Sequence, residues 1–221
     1  MSLMATINRN CNATIAATHL AVASLLFVGL AAGCSDAGSS QDFSGLPVVE
    51  LHADYPSFDA AALDRDSRVI FEGIALESRG ALRYPTFAGD TPEENPLLGL
   101  DEREYALAMA SLTPIPITET TFRVTAAYRG DLATGDEVVI TQTGGVLEGV
   151  RYVLQSDPPF SIGESYLLFG ANSVGDAYYV LGGSAGMYRE VDDRVFEPVD
   201  ATNSPLGWRV AADEVSRRFA G

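Results

Sequence analysis

The chain contains no lysine: all 14 of its basic residues are arginine, set against 30 acidic residues in 221. Residues 1–33 carry Arg9 and no acid, so the remainder holds thirteen arginines against thirty acids, a net charge of −17. Such a surface repels phosphate backbones and anionic headgroups, which sets nucleic-acid binding aside. Cysteine is equally scarce. Only Cys11 and Cys34 occur, both near the start, so the body of the chain has no disulfide framework, no cysteine zinc site and no cysteine nucleophile. Histidine is limited to His19 and His52. With one histidine beyond the first 33 residues, no H-x-x-x-H or H-E-x-x-H pairing can form there. These absences predict neither a metal nor a cofactor.

What is present first is an apolar run. Leu20–Gly33 (LAVASLLFVGLAAG) is uninterrupted for 14 residues, short of the ~20 that span a bilayer but suited to a signal h-region. It ends in Leu30-Ala31-Ala32-Gly33-Cys34, which resembles the bacterial lipobox, small residues before a cysteine that receives diacylglycerol. Ser35–Asp42 (SDAGSSQD) then reads as a small, polar tether. The resemblance implies a leader over 1–33, lipidation at Cys34, a tether over 34–42, and one extracytoplasmic domain over 43–221 held at the cell membrane. Ordinary signal-peptidase cleavage, for which Ala31 and Gly33 suffice, is the alternative.

Residues 43–221 suit a single domain with a core of its own. Pro47–Leu51 reads as a first short strand, and Ser57 as the cap of a short helix over Phe58–Asp64. Val69–Leu76 (VIFEGIAL) predicts a strand buried on both faces. Asp101 and Glu104 have capping-box spacing for a helix through Ala110, with Tyr105, Met109 and Leu112 on one side. Beyond it the pattern is β. Thr118–Arg129 alternates, with Phe122, Val124, Ala126 and Tyr128 on one face. Glu137–Thr143, Val150–Gln155, Glu164–Phe169, Tyr178–Leu181 and Met187–Val191 follow, with a turn at Asp192-Asp193 into Arg194–Glu197. Trp208, Ala212, Val215 and Phe219 fall at helical spacing, predicting a C-terminal amphipathic helix. Short strands at turn-marked intervals predict a mainly β fold, a barrel or alternatively a sandwich, with short helices at its margins.

Four segments carry a resemblance: Phe122-Arg123-Val124 leading to Tyr128-Arg129-Gly130; Gly135-Asp136-Glu137-Val138; Phe160–Phe169 (FSIGESYLLF); and Tyr178-Tyr179-Val180. Their order resembles the bacterial exported relatives of the TIMP/netrin-like OB-fold, over about half of the chain beyond Cys34. The resemblance implies an OB-like barrel. It does not bring metalloprotease inhibition with it, because the animal proteins use a free N-terminal cysteine and disulfides, whereas Cys34 is expected to be acylated and has no partner.

Four features could bear chemistry. Gly182-Gly183-Ser184-Ala185-Gly186 matches the G-x-S-x-G elbow of hydrolases, but strand patterns flank it and no histidine follows it, so a turn is expected. His52 has Asp54 as its nearest partner. The acid clusters Asp64/Asp66, Glu93/Glu94, Asp101/Glu102/Glu104 and Asp192/Asp193 lack EF-hand spacing and read as solvated turns and faces. Tyr178 and Tyr179 are adjacent in a strand, so one faces outward if that face is solvated. An exposed aromatic on a barrel face is how OB-type folds meet ligands. The sequence thus predicts a membrane-anchored, non-enzymatic binding module, with Tyr178 and Tyr179 as binding residues and a protein or glycan of the cell envelope as partner. A small β-scaffold hydrolase and a structural envelope protein are the alternatives.

Overall fold

The computed structural model describes residues 45–52, 55–85, 87, 89–154, 157–173 and 175–219. The leader, Cys34, the tether and Asp54 lie outside the described residues. Three long strands come first in the principal sheet: β2 (Val69–Arg83), β3 (Ile115–Arg129) and β4 (Glu137–Thr143), each antiparallel to the next. They follow a short strand β1 (Val48–Leu51) and a helix α1 (Ala60–Asp66). The fourth barrel strand, β7 (Ser165–Asn172), lies antiparallel to β2 on the side away from β3. The fifth, β8 (Tyr178–Val180), closes the structure: it runs parallel to β4, Ile140 opposite Tyr178, and antiparallel to β7, Gly170 opposite Val180. The order β2-β3-β4-β8-β7 and back to β2 closes a five-stranded barrel, with a parallel contact between its third and fifth strands. The fold is mainly β, as the strand spacing predicts, and the barrel alternative holds.

The outer edge of β7 is shared. Gly170–Asn172 pair with β8, while Tyr166–Leu168 pair with β9 (Met187–Asp192). From β9 the sheet continues through β10 (Val195–Pro198) to β11 (Val210–Ala211) and ends in helix α3 (Ala212–Phe219). This extension creates a second core. Phe71, Phe122, Ile140, Leu168 and Val180 fill the barrel, where Phe122 and Phe160 meet edge-on at 4.7 Å. Ile70, Leu167, Phe169, Tyr188, Val215 and Phe219 pack on the other face of the sheet. Alternate residues of β2 therefore enter different cores, which is why Val69–Leu76 is apolar on both faces.

A smaller sheet, β1 with β6 (Val150–Leu154) and β5 (Gly145–Leu147), lies against the distal half of the β2–β3 ribbon. The approach is of backbone on backbone. A Cβ on Gly80 would stand 2.2 Å from the Val146 carbonyl oxygen, and one on Gly145, at φ +113°, would stand 1.7 Å from Thr118 Oγ1.

Several local expectations are corrected. The first helix begins later, and its cap is Asp59, whose Oδ1 accepts the Ala62 amide at 2.7 Å, not Ser57. The capping box of α2 (Glu102–Ser111) is as predicted, with Glu104 N donating to Asp101 Oδ1 at 2.8 Å and Asp101 N to Glu104 Oε2 at 3.2 Å. That helix nevertheless buries no residue, and Tyr105 and Leu107 stand in solvent. The turn between β9 and β10 is Asp193-Arg194. Trp208 precedes α3 and is 67% exposed, while Ala212, Val215 and Phe219 are buried as their spacing requires.

Candidate functional site

At one end of the barrel β2 and β3 outrun the other strands, and their exposed ends border a cleft of about 250 Å³. The connection from the first barrel strand to the second leaves β2 at Tyr84 and returns at Ile115. The connection from the fourth to the fifth begins at Ser173 and ends before Tyr178. Both connections border the cleft, as does the end of β4. In an OB-type barrel this is the face that ligands use.

Asp157 forms one wall. It follows β6, in the chain break Asp157-Pro158-Pro159, and is buried. Gln142 Nε2 donates to its Oδ1 at 2.7 Å and to the Pro158 carbonyl at 2.9 Å. The Tyr55 hydroxyl and the Thr143 amide both donate to Oδ2 at 3.3 Å. Burial pushes the carboxyl up to about 6, because three donors only partly replace lost water. Burial, with the Asp157 charge beside it, pushes the Tyr55 hydroxyl up to about 12. Asp157 also closes the edge of β4. Beyond the two residues that pair with β8, the next free amide of that edge, Thr143 N, is given to Asp157.

Arg83 forms the opposite wall. Its guanidinium donates to Ser173 Oγ and, at 3.3 Å, to Thr141 Oγ1, and it stands 3.5 Å from Glu119 Oε1. One side chain so ties the end of β2 to β3, β4 and the fourth–fifth connection. It is the one cation that lines the cleft among the described residues, and Glu119 offsets it. Between these walls lie two tyrosines, Tyr84 at 51% and Tyr179 at 44% exposure. Of the predicted pair, Tyr179 is the exposed one and lines the cleft, while Tyr178 packs against the barrel core. Sequence reading singled out neither Asp157 nor Arg83 and Tyr84. An acid before Pro-Pro in an apolar neighbourhood was the available signal.

The other candidates fall elsewhere. Ser184 lies in a 3₁₀ turn, Gly183–Gly186, between β8 and β9 as expected, but is wholly buried. Its Oγ donates to Asp200 Oδ2 at 3.4 Å and accepts from Asn203 Nδ2 at 3.2 Å. His52 is exposed beyond β1 and does not border the cleft. Within the acid clusters Asp64 pairs with Arg129, Asp66 with Arg65, and Asp192 accepts the Asp193 amide. Among the described residues no three histidine, cysteine or acidic side chains converge as a metal ion requires. A second buried polar cluster lies on the outer face of the barrel. The carboxylate of Glu72 there accepts from the Tyr128 hydroxyl and from Arg194 Nη2 at 2.9 Å and Nε at 3.2 Å. It ties the β9–β10 turn to β2 and does not border the cleft. Compared with known protein families and with characterised proteins, the chain matches no family model and no individual sequence.

Proposed function

We propose that this chain is an exported lipoprotein, anchored through Cys34, whose barrel serves as a non-enzymatic binding module at the cell envelope. The observation that carries the reading is the cleft at the barrel end, where both ligand-bordering connections of an OB-type barrel meet two half-exposed tyrosines and a tethered arginine. Its side chains are held for recognition. Asp157 is already bonded to three donors and Arg83 to two hydroxyls beside the Glu119 carboxylate, so neither is free as an acid, base or nucleophile. The remoteness and burial of Ser184 weigh against the hydrolase alternative.

Photocrosslinking in intact cells tests the reading. A photoreactive side chain at position 179 is expected to give specific adducts, and one at the exposed position 208, outside the cleft, is not. Equal labelling from both positions, or none from 179, would leave the structural envelope role as the better account.

A further inference from the structure

We infer that the cleft takes a neutral glycan, one sugar ring resting on Tyr179 and Tyr84 while its hydroxyls meet Arg83 and the threonines of β4. The inference rests on the proposed binding role of this cleft and names its ligand class.

Three classes of ligand could approach an aromatic-lined barrel end, and the geometry separates them. An extended peptide binds a sheet by adding a strand to a free edge, its affinity coming from main-chain hydrogen bonds. The wall formed by β3 and β4 offers no such edge, although β2 beyond Ile74 is laddered to β3 alone. Both sides of β3 are paired, β4 is paired to β8 through Ile140 and Thr141, and the following amide at Thr143 is held by Asp157. Gly144 N in turn donates to the Pro116 carbonyl at 2.8 Å. Recognition on that wall is by side chains.

A single-stranded nucleic acid stacks well on tyrosine but needs cations along its backbone. The cleft offers Arg83, which is 3.5 Å from Glu119, on a chain of net charge −16. An anionic polymer of any kind meets the same field. A cation fares no better, because both Asp157 oxygens already accept hydrogen bonds.

A sugar ring needs what is left. Its C–H face is weakly positive and matches the electron-rich face of a tyrosine ring. Its hydroxyls both donate and accept, as do the hydroxyls of Thr141, Thr143 and the tyrosines that line the cleft, with Arg83 as a fixed donor. A volume of about 250 Å³ is below the ~300–1,000 Å³ of drug-sized pockets. It therefore admits a terminal ring or one ring of a chain, the rest lying over the open side.

The test uses the full-length protein in detergent micelles, titrated by calorimetry and saturation-transfer NMR with four probes: an uncharged N-acetylglucosamine oligomer, a neutral β-glucan oligomer, an oligothymidylate and a proline-rich peptide. Binding of at least one sugar probe is expected. Tyr179→Ala and Tyr84→Ala should each weaken it by about tenfold or more, the cost of removing a central aromatic anchor. Trp208→Ala, which removes the most exposed aromatic outside the cleft, should leave it unchanged. Both tyrosines are half-exposed, and unchanged melting curves will show that the variants fold. Binding of the peptide or the oligothymidylate in place of the sugars, lost in the same two variants, would overturn the glycan assignment and leave the binding role standing. Sugar binding indifferent to both tyrosines would overturn the site. Silence from all four probes, together with no crosslink from position 179, would overturn both readings.

Discussion

Arg194, in the turn between β9 and β10, reaches across 122 residues of sequence to hold the carboxylate of Glu72 in the first part of β2. Its guanidinium is about half exposed, the carboxylate is not, and the Tyr128 hydroxyl completes the cluster. Burial first, and the Glu72 hydrogen bond second, hold that hydroxyl far above the usual phenol range. Without Arg194 a buried carboxylate keeps one neutral donor. Arg194→Ala should therefore lower stability by about 1–2 kcal/mol, the lower part of the range for a hydrogen bond to a charge, since solvent reaches the arginine. The residue also sits at φ +52°, which glycine adopts without strain. Arg194→Gly should recover about 1 kcal/mol relative to Arg194→Ala. Urea denaturation of the two variants measures both effects, and equal losses would mean that the turn stores no backbone strain.

How much of this was legible varies by element. The alternation from Phe122 to Val124 identified the inner face of β3, but Ala126 and Tyr128, predicted for the same face, pack in the other core, because a register shift opposite Glu72 and Gly73 breaks the period of two. The doubly apolar run from Val69 was legible because two cores meet on β2. Closure of the barrel was not legible. It depends on β8, three residues long, pairing both with β7 just before it and, in parallel, with β4 far away in sequence. The amphipathic spacing of Tyr105, Met109 and Leu112 was real, but periodicity says which face could be buried and not whether a surface exists to bury it. At the site, Tyr179 was legible because adjacent strand residues must point opposite ways. Asp157 was not, because the value of a carboxylate there comes from Gln142, Thr143 and Tyr55, which only the fold assembles.

Asp157 gives a pH dependence whose sign can be worked out. Its folded value of about 6 lies above the ordinary 3.8. Between those values the folded chain holds a proton that the unfolded chain releases, so this group's contribution to stability falls as pH rises from about 4 to 6 and is constant above. A rise of that size corresponds to roughly 3 kcal/mol. Many other acids titrate in the same window, so the difference from Asp157→Asn isolates the effect. The variant should gain stability relative to the parent as pH rises across that window, measured by melting at a series of pH values. A constant difference between the two proteins would mean that Asp157 titrates normally.

The proposed lipid anchor makes a cellular prediction. Cys34→Ser should release the protein from the membrane fraction or block its processing, and the parent should carry the mass of a diacylated cysteine at its mature N-terminus. Membrane partition and mature mass unchanged by the substitution would point instead to ordinary cleavage at the small residues before Cys34.

Ser184 is where a motif search misleads. The literal G-x-S-x-G places three glycines around a 3₁₀ turn, one of them, Gly182, at φ +62° where a Cβ would stand 2.6 Å from the Phe58 ring. The turn is a packing device: it brings the serine under the loop that follows β10, where Asp200 and Asn203 meet it. Asp200 is a poor base for that hydroxyl, because the Thr202 side chain and amide hold its carboxyl below the usual range. A hydroxyl with no effective base and no exposure does not attack an acyl group. Ser184→Ala removes two long hydrogen bonds and leaves the Asn203 amide without its acceptor, so it should cost about 1–2 kcal/mol of stability. It should leave ligand binding at the cleft unchanged, since Ser184 does not border it. A fluorophosphonate probe should fail to label the native protein. Covalent labelling at Ser184, abolished by Ser184→Ala, would show that the loop opens to expose a reactive serine and would put hydrolysis ahead of binding.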